Sequence, residues 1–146
     1  MIATLSPFHS VGDFVLDTDI NNYKSKYLFE IEDYSTDLYV PSVHFSISNP
    51  ELTLFVENDK IIEIGCYEEL LYKGRNLIGM KIEEFISHTG ENYVGEVDCL
   101  DFEEDDIPQY VYEFETIGLQ VWVKGQQRKI VTIIVSVPFE KQLTNE

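Results

Sequence analysis

The chain has 146 residues, 44% of them hydrophobic, with nine Tyr and nine Phe: enough to bury a core as one domain, and too apolar and aromatic for a disordered segment. Its 27 acids against 10 Lys and Arg give a formal charge of −17, a field that repels phosphate backbones and anionic membrane surfaces and so speaks against direct nucleic-acid or membrane partners. The same field favours encounter with a basic protein.

At the N-terminus, MIATLSPFHSVG has no basic start leading into a long apolar run, and no window approaches the roughly 18 apolar residues of a membrane span, so a cytoplasmic chain is expected. LDTDINNYKSKY, from Leu16 to Tyr27, predicts a short amphipathic helix, with Ile20 and Tyr23 at helical spacing, Asp17 or Thr18 as cap, and Lys24 and Lys26 in the last turn. A weak strand at Tyr27 to Ile31 and an acid-rich linker, EIEDYSTDLYVP, ending in Pro41, follow. VHFSISNPELTLFVENDKIIEIGC then alternates in hydrophobicity, with Asn49-Pro50 at one joint and Glu57-Asn58-Asp59 at a hairpin tip. His44 lies out of phase with Val43 and Phe45 and should face solvent or a partner.

The second half begins in the same way. IGMKIEEFISHTG predicts a helix, because Ile82, Phe85 and Ile86 recur at helical spacing, Glu83 and Glu84 suit the positive end of the dipole, His88 suits the other end, and Gly90 supplies a stop. After a weak strand at Tyr93 to Val97 comes EVDCLDFEEDDIPQYVYEFE, Glu96 to Glu115, which holds nine carboxylates and no lysine or arginine. Pro108 pushes Ile107 out of helical conformation, and Leu100 to Pro108 reads as a long loop between two strands. In YEFETIGLQVWVKGQQRKIVTIIVS, Leu119, Val121 and Val123 form the core face, with Gly118 at a joint and Gly125-Gln126-Gln127 at a tip.

Laid over one another, the halves match. Ile20 and Tyr23 fall on Ile82 and Phe85; Phe45, Ile47, Leu52, Leu54 and Val56 fall on Tyr112, Phe114, Leu119, Val121 and Val123; two extra residues in the turn bring Ile62 and Ile64 onto Val131 and Ile133. The expected fold is therefore α+β, two helix-plus-antiparallel-meander repeats at about 12–67 and 74–137, packed into a single domain. Phe55 and Trp122 occupy matched positions away from the core face, where they are either covered by the other half or form an aromatic patch.

Chemistry is thinly represented. His9, His44 and His88 have no HExxH or HxH spacing, Cys66 and Cys99 read as buried thiols, and Cys99 with His88 lacks the paired ligands of structural zinc. DFEEDD lacks the EF-hand pattern, and GRNLIG and GENYVG lack a phosphate cradle. No catalytic residue, metal site or cofactor is expected. Binding remains: Asp98, Asp101, Glu103, Glu104, Asp105 and Asp106, with Tyr110 and Tyr112, form the candidate recognition surface, because tyrosines supply contact area while acids select a basic partner. Tyr34 and Tyr39 flank the matching acidic linker. Tyr110, Tyr112 and Phe114 also share the core phase, so the five acids from Asp101 to Asp106 carry most of the expectation. The alternative is a small-molecule-binding module or small enzyme with a pocket between the repeats around His44, Cys66 or Tyr67. A carboxylate-spaced mimic of DNA is a third possibility.

LIGMKIEEFISHTGENYVG together with YEFETIGLQVWVKGQQRKIVTIIVS is similar to the helix and hairpin units of bacterial immunity proteins, those of contact-dependent growth inhibition systems in particular. That resemblance implies a stoichiometric inhibitor of a secreted toxin domain, often a nuclease with a basic groove. A more distant resemblance is to the tandem design of the β-lactamase inhibitor protein, which is exported.

Overall fold

Period-two alternation dominates the chain, and in the computed structural model the backbone follows it into strands. Residues 1–39, 41–102 and 105–138 are described, with Phe102, Asp105 and Asp106 described by backbone alone. Three short strands, β1 (Leu5–Ser6), β2 (Ser10–Val11) and β3 (Phe14–Val15), make a small antiparallel sheet, and a 3-10 turn follows at Ile20–Asn22. The first meander is β4 (Glu30–Asp33), β5 (Val43–Ile47), β6 (Leu52–Glu57) and β7 (Lys60–Cys66). A hairpin of β8 (Leu71–Tyr72) and β9 (Arg75–Asn76) leads into α1 (Ile82–Thr89). The second meander is β10 (Val94–Phe102), β11 (Asp105–Phe114), β12 (Leu119–Lys124) and β13 (Lys129–Ser136). Both meanders join in one eight-stranded antiparallel sheet of order β10-β11-β12-β13-β7-β6-β5-β4.

This overturns the expected α+β class of two helix-plus-meander repeats: the molecule is built mainly of antiparallel sheet, with one α-helix among the described residues. The two predicted helices fare differently for a physical reason. In α1, Ile82, Phe85 and Thr89 are buried, Gly90 closes the helix in the left-handed region at φ 73, and its N–H donates to Ile86 O. In LDTDINNYKSKY, Leu16, Ile20 and Tyr23 are buried, but Asp17 sits in the left-handed region at φ 64 and separates Leu16 from the other two, while Asn21, Asn22, Lys24, Ser25 and Lys26 are exposed. One apolar turn does not sustain a helix. Asp19 instead accepts from the Asn21 backbone and side chain, both at 2.8 Å, the local competition that makes Asn and Asp poor inside helices.

Within the sheet, the two meanders pair alike. Phe45 faces Leu54 and Ile47 faces Leu52, as Tyr112 faces Val121 and Phe114 faces Leu119. Both carry a bulge at the corresponding point, after Phe55 and after Trp122. The bulges fall on matched residues: pairing skips both Ile62 and Val131, and the buried residues beside them are Ile61 and Ile130. The entering chain is tied down in corresponding ways, Asp17 N–H to Ile61 O and Ile61 N–H to Thr18 O, then Gly79 N–H to Ile130 O and Ile130 N–H to Met80 O. At the seam, Ile64 faces Val135 and Cys66 faces Ile133.

The core lies on one face of this sheet. Phe14 packs edge-on against Tyr23 at 5.2 Å and Phe85 against Phe114 at 4.7 Å, over Leu52, Leu54, Ile64, Val121, Ile133 and Val135. Each such side chain contributes on the order of 1.5–3 kcal/mol. The outer face carries His44, Thr53, Phe55, Glu63, Gln120, Trp122 and Ile134, all partly exposed. Phe55 packs against His44 of its own half, and Trp122 donates to Gln120 of its own, so neither of these contacts comes from the other half.

The expected first strands shift. Tyr27 to Ile31 becomes Glu30–Asp33, and Tyr93 to Val97 becomes the start of a strand reaching Phe102. The predicted loop from Leu100 to Pro108 is largely strand on both sides of residues 103–104. Pro108 is accommodated because β12 begins its pairing with β11 only at Gln109, and the β10 register shifts between Leu100 and Phe102, so no regular ladder N–H is needed there.

Candidate partner-binding surface

The acid run forms a hairpin at one end of the sheet order, with β10 its outermost strand. Val94 to Glu96 and Asp98 to Asp101 are all exposed. Asp98 faces Val111 and Cys99 faces Tyr110, while Asp101 lies within the register shift between Leu100 and Phe102. Neither acid meets a cation or hydrogen-bond donor among the described residues. Cys99 is exposed, which corrects its expected burial; on an outermost strand its side of the sheet is left without cover. Glu103 and Glu104 lie outside the described residues, and Asp105 and Asp106 are placed only by backbone on β11.

The tyrosines separate. Tyr112 is buried and packs edge-on against Tyr93 at 4.9 Å, so its ring belongs to the core. Tyr110 is partly exposed and lies under the Arg128 guanidinium, 4.6 Å from the ring centroid. Ile107, Pro108, Tyr110, Gly125, Gln126 and Arg128 line a cleft of about 510 Å³ between the hairpin and the β12–β13 turn.

The first acidic linker lies at the opposite edge. Glu30, Ile31, Glu32 and Asp33 of β4 are all exposed, as are Leu28, Leu38 and Tyr39 nearby. Tyr34 donates to Glu32, and this bond to a carboxylate pushes the Tyr34 hydroxyl above its ordinary pKa. Its ring stacks on His44, which in turn meets Phe55, each at 4.7 Å, and His44 Nε2 lies 3.0 Å from Ser42 Oγ. Leu28, Ile31 and Leu38 were not among the sequence candidates: a lone apolar residue in a weak strand or an acidic linker carries no signal of exposure until the strand order is known.

His44, Cys66 and Tyr67 are not brought together. Cys66 points into the core at the seam, where burial pushes its thiol up to about 12, while His44 lies on the outer face. Tyr67 places its hydroxyl over Gly65, where a Cβ would sit 2.7 Å from it, and burial raises its pKa. His88 lies within 2.8 Å of Tyr72 O, a contact that ties α1 to the β8–β9 hairpin. Between the meanders, Phe8, Glu63, Glu113, Gln120 and Ser136 line a cleft of about 230 Å³. There burial raises the Glu63 pKa, opposed by a hydrogen bond from Ser136 Oγ at 3.1 Å and reinforced by Glu57 and Glu113. Among the described residues no three His, Cys, Asp or Glu side chains gather as metal ligands, and no helix is long and apolar enough to cross a membrane.

Comparison of the chain with family models, with curated proteins and with solved structures returns no match.

Proposed function

We propose that the chain is an immunity-type inhibitor, a cytoplasmic protein that binds a cognate basic toxin domain, of the nuclease class, and neutralises it by protein–protein inhibition. The observation that carries this reading is the outermost strand β10, which holds Glu96, Asp98 and Asp101 exposed on a chain of formal charge −17. Exposed carboxylates that meet no cation among the described residues complement a cationic groove. Asp101, Glu103, Glu104, Asp105 and Asp106 extend the same charge along the sequence.

The test is association with the toxin domain encoded beside this chain. The two should form a one-to-one complex, and Asp98→Lys with Asp101→Lys should slow association about tenfold at low ionic strength, an effect that shrinks at high salt. Unchanged association at low salt sinks the acidic-surface reading. The alternative of a small-ligand site around His44, Cys66 or Tyr67 is less favoured by the placement of those residues, since Cys66 is buried in the core while His44 lies on the outer face. A thermal-shift screen with metabolites tests it directly.

A further inference from the structure

The two meanders repeat one cleft and differ in what lines it. In the first, Pro41, Val43, Val56 and Asn58 border a space of about 380 Å³ beside the β6–β7 turn. In the second, Pro108, Tyr110, Gly125 and Arg128 border one of about 510 Å³ beside the β12–β13 turn. Strand register shows that these are corresponding places: Val43 faces Val56 as Tyr110 faces Val123, and Glu57 faces Lys60 as Lys124 faces Lys129. The residue before each closing lysine, Asp59 or Arg128, lies in the left-handed region, at φ 62 and φ 50. The second half therefore carries Tyr110 where the first has Val43, and Arg128 where the first has Asp59.

This exchange changes what the cleft can hold. A long side chain is uncommon at a left-handed position, yet Arg128 occupies one and lays its guanidinium over the Tyr110 ring, 4.6 Å from the centroid. Ile107, 45% exposed, and Pro108 add an apolar wall. Tyr and Arg are the residue types that concentrate binding energy at the centre of an interface, inside a rim of polar contacts that excludes water. Carboxylates supply that rim: Cys99 faces Tyr110 across the hairpin, and Asp98 and Asp101 stand beside it on β10, one strand spacing of about 4.8 Å away.

Charge and shape select the occupant. Arg128 turns a cation away from the cleft and a chain at −17 turns an anion away, so the entering group is neutral. A planar guanidinium already stacked on one ring, with Ile107 and Pro108 beside it, suits a second ring. A second copy of the chain, itself at −17, would set like charges against the rim.

We propose that this cleft is the anchor site for the basic partner, taking one of its aromatic side chains against Arg128 and Tyr110 while cations beside that ring meet Asp98 and Asp101. This rests on the reading of the chain as a binder of a basic protein, and it divides the work within one surface: the carboxylates speed encounter, and the cleft sets how long the complex lasts.

The test uses the full chain, the toxin domain encoded beside it and three tripeptides with blocked ends, Lys-Trp-Lys, Lys-Ala-Lys and Glu-Trp-Glu. Saturable amide shifts at Tyr110, Gly125, Gln126 and Arg128 are expected with Lys-Trp-Lys alone. Tyr110→Val installs the side chain of the matched position, and Arg128→Gly relieves the left-handed backbone, so amide spectra away from the cleft should stay those of the wild type. Together the two substitutions should raise the dissociation rate of the toxin complex about tenfold at low and high salt alike with association nearly unchanged, the opposite of the pattern for Asp98→Lys with Asp101→Lys. Arg128→Gly alone should give a smaller rise in the same direction. Equal shifts with Lys-Ala-Lys or Glu-Trp-Glu, or none at the cleft with Lys-Trp-Lys, would overturn the proposal. If the toxin domain binds and the double variant releases it at the wild-type rate, the anchor cleft fails while the inhibitor reading stands. If Lys-Trp-Lys fills the cleft and the toxin domain does not bind, the inhibitor reading fails and the cleft stands as a site for aromatic side chains.

Discussion

Glu63 shows what a sheet face does to a carboxylate at a seam. It faces Phe55 on one side and Ser136 on the other, and burial raises its pKa above the ordinary 4.5 despite the Ser136 hydrogen bond. A raised value in the folded state means that, as pH climbs above 4.5, the unfolded chain loses this proton first, so the group costs stability there. Below 4.5 both states are protonated and the cost vanishes. Glu63→Gln keeps an acceptor for Ser136 and is expected to raise the melting temperature at neutral pH and leave it unchanged well below 4.5. Thermal melts across that range check it; an equal shift at every pH would assign the effect to packing instead of ionisation.

At the scale of elements, α1 and the Ile20–Asn22 turn do the same job by different means, each setting one aromatic ring into the core. Phe85 contributes a fully buried ring against Phe114, held by a helix that ends on Gly90. Tyr23 is held by its hydroxyl as well as its ring, accepting from Val15 N–H at 3.1 Å and lying 3.1 Å from Thr18 Oγ1. Phe85→Ala should cost about 3–5 kcal/mol, the range for emptying an aromatic site. Tyr23→Phe keeps the ring and should cost about 1 kcal/mol for the lost hydrogen bonding. Urea unfolding of the two variants measures both, and similar losses would show that the turn depends on the hydroxyl as heavily as the helix does on its ring.

For the whole molecule, the seam between β7 and β13 is the structural centre. It joins the two meanders through Ile64, Cys66, Ile133 and Val135, all fully buried, while β4 and β10 lie farthest from it. Opening the seam exposes core from both halves, so its amides should exchange only through global unfolding, and those of β4 and β10 through local fraying. Hydrogen exchange followed residue by residue should rank β7 and β13 slowest. Faster exchange at the seam than in β5 or β12 would mean that the halves are separate cooperative units.

The sequence by itself determined the strand phases, because alternation is a property of residues two apart and survives any arrangement of strands. Phe45, Leu54, Tyr112 and Val121 are core residues for that reason, and α1 was legible in the spacing of Ile82 and Phe85 with Gly90 as its end. Tertiary structure decided the rest. LDTDINNYKSKY became a turn because Asp17, at φ 64, cuts Leu16 off from Ile20 and Tyr23, and Lys24 to Lys26 are exposed. Ile62 and Val131 dropped out of the ladder because bulges are set by the neighbouring strand. The acid run is strand on both sides of residues 103–104 because an outermost hairpin tolerates Pro108 and leaves Glu96, Asp98 and Asp101 exposed. Only the order of strands left β4 and β10 without outer neighbours among the described residues, which turned Cys99 from an expected interior residue into an exposed one.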